Sequence, residues 1–379
     1  MSAAVVYDAI VLGVGGMGSA AIYHLARRGR RVLGLEQFNI PHDLGSSHGI
    51  TRIIRLSYFE HPSYVPLLRR AYELWRELER SSGRQLLNIT GSIDAGPEGS
   101  RIFEGSLRSC REHELQHEVL TSAALSARFP GYRLPAQTLA VLQPEGGFLQ
   151  PELSISAHVE LAYDCGAEIH ARERVIHWEP CSRGVRVKTD CGVYDAAQLL
   201  VSAGAWAAHI LPDLRAWLCP ERQVLAWLQP RRPELFRTGS FPVFNFEAEE
   251  GCYYGLPVFA VPGFKLGRYH HLGEAVDPET VDREAGRRDD QLLRAFAERY
   301  FPDGAGPTVA LKVCLFTNTP DGHFILDRHP RWPQVWIASP CSGHGFKMAS
   351  VVGEIMADLV EQGRTRHDIS LYRLARFLG

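Results

Sequence analysis

The sequence lacks the cysteine patterns that mark metal or redox proteins. Its eight cysteines include no C-x-x-C pair, so neither a zinc site nor a dithiol redox motif is indicated, and we expect no bound metal. In a chain of 379 residues, scattered cysteines are typical of reduced thiols in a reducing compartment. The cysteines are Cys110, Cys165, Cys181, Cys191, Cys219, Cys252, Cys314 and Cys341.

Signals for targeting, membrane insertion and nucleic-acid binding are also missing. Residues 1–16 lack the basic start and the cleavage site of a signal peptide, and no apolar run is long enough to span a bilayer. The C-terminal RLARFLG is not a peroxisomal signal. A formal net charge of −2 gives no electrostatic reason to expect nucleic acid or an anionic membrane as a partner. We therefore expect a cytoplasmic protein.

The N-terminal region contains the pattern of a dinucleotide-binding fold. Residues 5–12, VVYDAIVL, form a nearly continuous apolar run, as a buried parallel strand does. The loop GVGGMG at 13–18 follows, and the helical pattern of 19–29 ends at a glycine. A second strand, RVLGLE, ends in Glu36, 18 residues after Gly18. Strand, glycine loop, helix, strand and acid therefore occur in the order that such a fold requires.

Each residue of this motif has a physical role in binding a dinucleotide. Gly13 allows the tight turn, Gly15 lets the backbone approach a pyrophosphate, and Gly18 permits close packing of helix on strand. The helix N-terminus faces the phosphates, and Glu36 can accept hydrogen bonds from an adenosine ribose. Gly16 belongs to the same predicted cofactor loop. The motif does not separate NAD from FAD, and a glycine-rich turn in a nucleotide-free α/β fold is the alternative.

Pieces of this α/β pattern recur along the chain, with strand-rich segments between them. We predict a surface helix at 62–82 and a buried strand with a glycine turn at 199–206. A well-patterned helix occupies 346–363, whereas 219–309 is mostly strands. The length favours two domains, which the order of the segments predicts to be interleaved. The predicted dinucleotide-binding domain comprises 1–85, 145–218 and 310–379, and the second predicted domain comprises 86–144 and 219–309.

A set of short motifs is spread over nearly the whole chain. They are GVGGMGSA at 13–20, PHDLGSSHGITRIIR at 41–55, SAGAW at 202–206, YYGLP at 253–257, FKLG at 264–267, Cys314 with TNTPDGHF at 317–324, and SGHGFK at 342–347. Together they resemble the motifs of the monomeric sarcosine oxidase and N-methyltryptophan oxidase family of flavin amine oxidases. Several of them are specific to this group rather than to flavoproteins at large.

The resemblance implies an α/β fold in which a Rossmann-like FAD-binding domain adjoins a mixed, largely antiparallel sheet. Members oxidise a secondary amino acid by transferring a hydride from the carbon next to nitrogen to FAD, and dioxygen then takes the electrons and becomes hydrogen peroxide. With an N-methyl substrate, such as sarcosine or N-methyltryptophan, imine hydrolysis yields formaldehyde and the demethylated amino acid. The expected partners are a small amine substrate and dioxygen, and the family name indicates a monomer.

The most specific expectation from the resemblance concerns Cys314. Most free cysteines are small buried hydrophobes, which is the ordinary interpretation. In the family pattern, the cysteine at this place forms a thioether to the 8α carbon of the flavin, which requires a thiolate with cations nearby. Arg52, His48 and His270 occupy positions where the family places polar groups around the flavin. We therefore expect FAD to be attached to Cys314.

Three further basic residues receive roles from the resemblance. Lys265 would lie over the flavin and stabilise negative charge on dioxygen, although a lysine on a strand is more often solvated at a sheet edge. Arg55 and Lys347 would bind the substrate carboxylate. A lysine at a helix start needs a compensating anion, and an arginine fork suits bidentate binding. Without the resemblance, they would be a surface arginine and a helix-start lysine.

The loop SGHGFK and two strand residues complete the predicted site. Gly343, His344 and Gly345 would place backbone amides at the pyrimidine edge of the flavin, and a plain glycine turn before a helix is the alternative. Tyr254 and His270 are expected in the substrate pocket, where they could orient the amine. The predicted catalytic residues are Lys265, Arg52, His270 and Tyr254.

The sequence departs from the family pattern at two places near the expected pocket. Phe316 stands where members have a tyrosine two residues after the flavin cysteine, so any hydrogen bond from that hydroxyl is lost. Arg268 is an extra residue before the histidines, so either His270 or His271 could face the flavin.

Three other functions remain open from the sequence. Oxidation of a cyclic secondary amino acid, such as proline or pipecolate, would use the same chemistry in a different pocket. An NAD-dependent dehydrogenase explains the glycine loop and Glu36, but it gives no role to Cys314 or to SGHGFK. An FAD-binding protein without catalytic activity is the third.

Overall fold

The computed structural model describes residues 6–339 and 342–378. Residues 1–5, 340, 341 and 379 lie outside the described residues; they include Cys341, Val5, the first residue of the predicted N-terminal strand, and the outermost residues of the two chain ends used above to judge targeting signals. The strands are β1 (Val6–Leu12), β2 (Val32–Glu36), β3 (Arg52–Ile54), β4 (Leu87–Ile89), β5 (Ser92–Pro97), β6 (Glu118–Thr121), β7 (Thr138–Gln143), β8 (Gly147–Leu149), β9 (Glu168–Ala171), β10 (Val175–Cys181), β11 (Gly184–Thr189), β12 (Val193–Val201), β13 (Cys219–Leu228), β14 (Val243–Ala248), β15 (Gly251–Leu256), β16 (Phe264–Arg268), β17 (Thr308–Asn318), β18 (Ile325–Arg328) and β19 (Val335–Ser339).

Helices occur between these strands and after the last of them. The α-helices are α1 (Gly16–Ala26), α2 (Val65–Ser82), α3 (Arg101–Glu112), α4 (Ser122–Arg128), α5 (Pro151–Asp164), α6 (Ala207–Ile210), α7 (Arg287–Tyr300), α8 (Ala349–Gln362) and α9 (Ala375–Leu378), and short 3-10 helices span Pro62–Tyr64, Gly204–Trp206, Pro212–Trp217, Pro233–Leu235, Phe346–Met348 and Ser370–Tyr372. Within the described residues, no helix combines the length and the apolar character that crossing a membrane requires.

The first sheet contains the predicted dinucleotide-binding unit. Its strand order is β10-β11-β12-β1-β2-β9, with the β18–β19 pair joined to β12. β1 runs parallel to β2 and β12, and β19 runs parallel to the end of β12. β2 and β19 are buried along their whole length, as parallel strands covered on both faces are.

Helices cover one face of the first sheet and form the larger of its two cores. α1 packs against α5 and α8, and α2 packs against α5 and α8 from outside. The predicted helix at 62–82 is confirmed, since its buried residues Leu67, Leu68, Ala71, Leu74, Trp75 and Leu78 recur at helical spacing. It ends at Gly83, whose φ of 67° is the left-handed conformation typical of a helix C-terminus.

The second sheet is the mixed, largely antiparallel sheet that the resemblance implied. Its order is β17-β13-β16-β15-β14-β5-β7-β6, and β14–β5 is its parallel pair. α7 packs on β13 and β16. β17, which begins at Thr308 and carries Cys314, pairs with β13 along most of its length. This strand therefore lies in the second sheet, although the predicted division placed 310–379 with the FAD-binding segments.

A small third sheet and a large cavity connect the two halves. β8 pairs antiparallel with β3 and β4. The cavity has a volume of about 650 Å³, and its lining joins the β1–α1 loop and Glu36 of the first sheet to Tyr254 and Cys314 of the second. Because it borders the carboxyl ends of β1, β2 and β12, it occupies the place where open parallel sheets bind ligands.

Candidate active site

The loop between β1 and α1 is too tight for side chains at two of its glycines. Gly13 has a φ of 88°, and a Cβ there would lie 2.7 Å from the carbonyl oxygen of Ser202. A Cβ on Gly18 would lie 1.8 Å from the carbonyl oxygen of Gly13. At Gly15 the nearest atom is Ser47 Oγ at 4.0 Å, so the space beside that glycine is open and borders the cavity. The loop can thus bring its backbone against a phosphate.

Glu36 holds this loop while facing the cavity. Its Oε2 accepts a hydrogen bond from Val14 N at 2.9 Å, and its Oε1 accepts one from Phe38 N at 3.1 Å. A carboxylate has about four acceptor positions, so two remain for ribose hydroxyls. The predicted role of Glu36 fits this arrangement.

Most of the predicted site residues line one cavity. They are Gly13, Gly15, Gly16, Glu36, Arg52, Arg55, Tyr254, Cys314, Gly343, His344, Gly345 and Lys347. Gly18, His48, Lys265 and His270 lie off this lining. Gly18 acts through packing, as described above, and the other three are described below.

Cys314 is buried and has positive charge beside its sulfur. Its Sγ lies 3.3 Å from Arg52 Nη2, which also donates to the carbonyl oxygen of Ser46 at 2.9 Å. The thiol is 2% exposed, packs near Leu225 and Trp227, and borders the cavity. A cation therefore lies within hydrogen-bond distance of the sulfur.

Lys265 lies behind the cavity wall, held by the backbone of the loop before β3. Its Nζ donates to the carbonyl oxygens of Gly49 at 2.7 Å and Thr51 at 2.6 Å, and to Thr51 Oγ1 at 3.2 Å. The side chain is 1% exposed. Burial, followed by the charge of Arg52, holds the pKa of Lys265 well below its usual value. The lysine is therefore not solvated at a sheet edge.

His48 lies in the same loop but borders a second, smaller cavity. That cavity also has Asp43 and Glu152 in its lining. Burial and the nearby Arg52 lower the pKa of His48 to about 3, so the ring is neutral. Within the described part of the chain, its Nε2 has no hydrogen-bond partner. A neutral ring adds no positive charge near Cys314, so Arg52 is the cation in contact with the sulfur.

Arg55 is buried and surrounded by acids and aromatic rings. Its Nη2 lies 2.8 Å from Glu60 Oε2, its Nε lies 3.7 Å from Asp94 Oδ1, and its guanidinium stacks 4.6 Å from the ring centre of Tyr58 and 4.3 Å from that of Phe59. Although burial opposes ionisation, Arg55 holds the pKa of Glu60 at about 2. The fork is thus occupied within the chain, and a substrate carboxylate could bind it in bidentate fashion only if Glu60 moved away.

Lys347 is the second buried cation of this part of the cavity. It lies in the 3-10 helix before α8, and its Nζ donates to the carbonyl oxygen of His344 at 2.7 Å. It is 5% exposed. Burial and the charge of Arg55 lower the pKa of Lys347 to about 7, so a bound anion would favour its charged form.

His344 is held in one tautomer by its partners. Its Nε2 lies 2.9 Å from the carbonyl oxygen of Gly322, which can only accept, so Nε2 carries the hydrogen. The other ring nitrogen, Nδ1, then accepts from Tyr58 OH at 2.5 Å. Burial lowers the pKa of His344 to about 4, which keeps the ring neutral. The histidine therefore connects the glycine loop to Tyr58, which stacks on Arg55.

The two glycines beside His344 make room for close packing. Gly343 has a φ of 79°, and a Cβ there would lie 2.3 Å from the ring of Phe316. Phe316, the departure noted in the sequence, thus packs its ring against the loop. Gly345 precedes the 3-10 helix that carries Lys347, and both glycines border the cavity.

The structure resolves which residue after Lys265 faces the cavity. Tyr254 and Tyr269 both border it, with ring centres 5.1 Å apart. His270 adopts a φ of 57° in an exposed turn, and its Nδ1 lies 3.1 Å from Glu221 Oε2. His271 is buried against Asp289, with its Nε2 2.8 Å from Oδ1. Neither histidine reaches the cavity: strand alternation places Tyr269, not His270, on the face of Lys265, and the left-handed turn at His270 directs His271 to Asp289.

Sequence reasoning missed several polar residues of the site. Asp94 is fully buried on β5 and accepts from Ser57 Oγ at 2.6 Å and from Asn245 Nδ2 at 2.6 Å. Asn245 accepts in turn from Tyr269 OH at 2.9 Å. An acid within the apolar strand SIDAG was the available signal for Asp94, since buried carboxylates require partners. Glu60 could have been found only from its contact with Arg55.

The chain's own geometry fits FAD. An open glycine loop at a helix N-terminus, a carboxylate with free acceptor positions, and a buried cysteine beside a cation all border one cavity. The glycines that would clash with a side chain are those that shape the loop. The residues that would hold the cofactor are therefore in place without rearrangement of the backbone.

Comparison with known proteins agrees with this geometry. The model of the DAO family, described as FAD dependent oxidoreductase, matches residues 8–359. The chain is 44% identical to monomeric sarcosine oxidase of Streptomyces avermitilis, covering 97% of this chain and 96% of that protein, and 34% identical to N-methyl-L-tryptophan oxidase of Yersinia pestis, covering 98% and 99%. The open form of NikD, described as an unusual amino acid oxidase, superposes with a TM-score of 0.85 at 26% identity, covering 97% of each chain. The chain therefore belongs to the FAD-dependent oxidoreductases, in the family of monomeric sarcosine oxidase and N-methyltryptophan oxidase.

Proposed function

We propose that this chain is an FAD-dependent oxidase of a secondary, N-methyl amino acid such as sarcosine, and that Lys347 binds the substrate carboxylate. The names of the relatives support the reaction class. When bound, FAD supplies the redox chemistry: it accepts a hydride from the carbon next to the amine nitrogen, and dioxygen takes the two electrons in turn to give hydrogen peroxide. Hydrolysis of the imine then releases formaldehyde and the demethylated amino acid.

The observation that carries this proposal is the buried ammonium of Lys347. Lysine is almost never fully buried unless it is paired. Among the described residues, Lys347 forms no ion pair within 4.0 Å; its Nζ donates to a carbonyl oxygen at 2.7 Å and lies 5.2 Å from the ring centre of Tyr58. A carboxylate in the cavity would supply the missing charge and would raise the pKa of Lys347 from about 7.

Arg55 has a different function from Lys347 in the first encounter with substrate. Its hydrogen-bonding groups already contact Ser57, Glu60 and, at longer range, Asp94. Its charge still attracts an anion into the cavity, but direct binding requires that Glu60 give way. The substrate carboxylate therefore binds Lys347 first and Arg55 second.

Other residues of the cavity wall orient the amine and assist the electron acceptor. Tyr254 and Tyr269 form an aromatic wall beside the position expected for the amine. The neutral amine itself needs no base to give up electrons. Arg52 in the cavity wall and Lys265 behind it would provide positive charge that stabilises negative charge developing on dioxygen.

Covalent attachment of FAD through Cys314 is part of the proposal. Arg52 Nη2 at 3.3 Å from Sγ favours a sulfur nucleophile. Cys314 would form a C–S bond to the 8α carbon, with loss of the thiol proton and of one 8α hydrogen as a proton and two electrons, which dioxygen accepts. The buried position of Sγ at the edge of the cavity suits such a bond.

The substitution Lys347→Met tests the assignment of the carboxylate site. We expect kcat/KM for sarcosine to fall about 100-fold, and the affinity for propionate, measured from the flavin absorbance, to fall by a similar factor. The exposed Lys312, which pairs with Asp43, supplies the control Lys312→Met, which should change neither quantity. An unchanged affinity for propionate in Lys347→Met would contradict the assignment.

A further inference from the structure

Glu152, a residue outside the predicted site, binds two consecutive backbone amides of the loop before β3. It is the second residue of α5, where the helix dipole favours a negative charge. Its Oε1 accepts from Gly49 N at 2.6 Å and from Ile50 N at 3.0 Å, and its Oε2 lies 3.2 Å from Ile50 N. The carboxylate therefore determines the direction of two peptide groups.

These two residues have a backbone conformation that requires such support. Gly49 has a φ of 92° and Ile50 a φ of 71°. A positive φ is a genuine outlier for a β-branched residue such as isoleucine, and it persists only where surrounding contacts impose it. A Cβ on Gly49 would lie 2.7 Å from Leu225 of the second sheet, so the turn is also confined from that side.

The opposite side of the same turn holds Lys265. The carbonyl oxygens of Gly49 and Thr51 accept from Lys265 Nζ at 2.7 Å and 2.6 Å. The amides of the turn thus point at Glu152 while its carbonyls point at the ammonium. The Gly49–Ile50 peptide group makes both contacts, with its N–H to Glu152 and its carbonyl to the ammonium, so its rotation would remove one of the contacts that position Lys265.

Glu152 is also the acidic residue whose charge acts on Lys265. The groups that face Nζ come from every element around it: Arg52 from β3, His48 from the loop, Cys314 from β17, the Trp227 ring of β13 at 5.3 Å, and Glu152 from α5. Burial and Arg52 oppose protonation of the lysine, whereas Glu152 and Cys314 favour it. If Cys314 carries FAD, its sulfur loses that charge, and Glu152 remains.

We propose that Glu152 is a positioning residue for Lys265: it holds the Gly49–Ile50 peptide group so that the Gly49 carbonyl accepts from the ammonium, and its charge favours the protonated lysine. The proposal deepens the role proposed above for Lys265 and rests on it. Glu152 acts through the loop and need not touch substrate or cofactor.

The small number of lysines allows the charge of Lys265 to be measured directly. The chain has four lysines, Lys188, Lys265, Lys312 and Lys347, so a holoenzyme labelled with lysine carrying ¹³C at Cε gives four signals, which single substitutions assign. In Glu152→Gln we expect the Lys265 signal to titrate about one pH unit lower than in the parent. Glu160→Gln, on the same helix in an exposed ion pair with Arg84, is the matched control and should leave the titration unchanged.

Kinetics of the two half-reactions provide the second measurement. In Glu152→Gln, reoxidation of the reduced holoenzyme by dioxygen should slow about tenfold at neutral pH, whereas anaerobic reduction by sarcosine should change less than about twofold. Glu152→Asp keeps the charge and should restore most of the lysine titration, which also covers the case in which Glu152→Gln yields no folded protein.

The outcomes separate this inference from the proposed function. An unchanged Lys265 titration in Glu152→Gln overturns the proposal, as does an equal loss in both half-reactions, which would mark Glu152 as a general support of the fold. If Lys265→Met leaves the reaction with dioxygen unchanged, the role proposed for Lys265 fails, and the titration still decides whether Glu152 positions it.

Discussion

At the scale of single residues, two buried lysines place positive charge around the cavity. Two of the four lysines, Lys265 and Lys347, are buried, whereas Lys188 and Lys312 are exposed. Burying a cation is costly unless it has a partner. Buried lysines therefore indicate places where an anion or a developing negative charge belongs. Lys347 borders the cavity and Lys265 is buried behind its wall, which are the positions that their proposed roles require.

Cys314 permits a test of covalent attachment. We expect the yellow colour of the parent to remain with the polypeptide after acid precipitation, and the colour of Cys314→Ala to pass into the supernatant, because the variant lacks the Cys314 thiol at the edge of the cavity. Cys110→Ala removes another buried cysteine, one in the core of the first sheet, and should keep its colour in the pellet. Release of colour from the parent would contradict the attachment.

The pocket residues show where sequence reasoning was limited at this scale. Arg52, Arg55, Tyr254, Cys314 and Lys347 reach the cavity as the resemblance implied. The expectation that His270 or His271 faces the flavin could not succeed. Residues 265, 267 and 269 share one face of β16 and its extension, and the left-handed turn at His270 then directs His271 to Asp289. Strand parity alone would have pointed to Tyr269.

At the scale of elements, two glycines of the β1–α1 loop allow its packing within the chain to be tested separately from its contact with a ligand. Gly18→Ala should destabilise the protein by about 1–3 kcal/mol and reduce its FAD content, because the new Cβ overlaps the carbonyl oxygen of Gly13. Gly15→Ala meets no close atom of the chain, so it should leave the unfolding free energy nearly unchanged and lower only the FAD content. Chemical denaturation and the ratio of flavin to protein absorbance measure both effects.

These two variants form a matched pair, since each adds the same methyl group to the same loop. If both variants lost FAD and stability to the same extent, the loss of FAD would follow from destabilisation of the loop and not from lost contact with the cofactor. Normal FAD content in Gly15→Ala would contradict the assignment of this loop to the pyrophosphate.

The elements themselves were largely readable from the sequence. The strand at 5–12, the helix at 62–82 and the C-terminal helix are confirmed because each has a strong period of its own. The position of β17 was not readable, since its partner β13 is 80 or more residues away in the chain and pairing is set by tertiary contacts. The predicted domain limits thus remain a prediction, with β17 in the second sheet.

At the scale of the whole molecule, two buried histidines make stability depend on pH. His24 on α1 and His158 on α5 lie in the core of the first sheet, and burial lowers the pKa of each to about 3. The folded state keeps both neutral, whereas the unfolded chain binds protons near pH 6.5. The stability is therefore fully present above pH 6.5 and decreases as the pH falls toward 3.

For each of these histidines, lowering the pH from 7 to 5 should reduce the unfolding free energy by about 2 kcal/mol. In the double variant His24→Gln/His158→Gln, denaturation at the two pH values should show a correspondingly smaller loss. His177→Gln, an exposed site on β10, serves as the control. If the double variant loses as much stability on acidification as the parent, the two buried rings are not the cause.

The whole chain brings together what separate motifs predicted. The family, the FAD-dependent class of enzyme and the combination of a parallel sheet with a mixed sheet are confirmed. Segments distant in sequence meet at the cavity, since the glycine loop comes from 13–18, the cations from 52–55 and 347, and the cysteine from 314. Side-chain partners such as Glu60, Asp94 and Glu152 depend on that assembly and could not be predicted from local sequence.

The most direct test mixes purified yellow protein with sarcosine in the absence of oxygen and follows the visible absorbance of the flavin. We predict that sarcosine bleaches the flavin, that glycine at the same concentration does not, and that air restores the colour with formation of hydrogen peroxide. Bleaching by proline but not by sarcosine would move the substrate to a cyclic amino acid. A flavin that stays oxidised with sarcosine, N-methyltryptophan and proline alike would contradict the account.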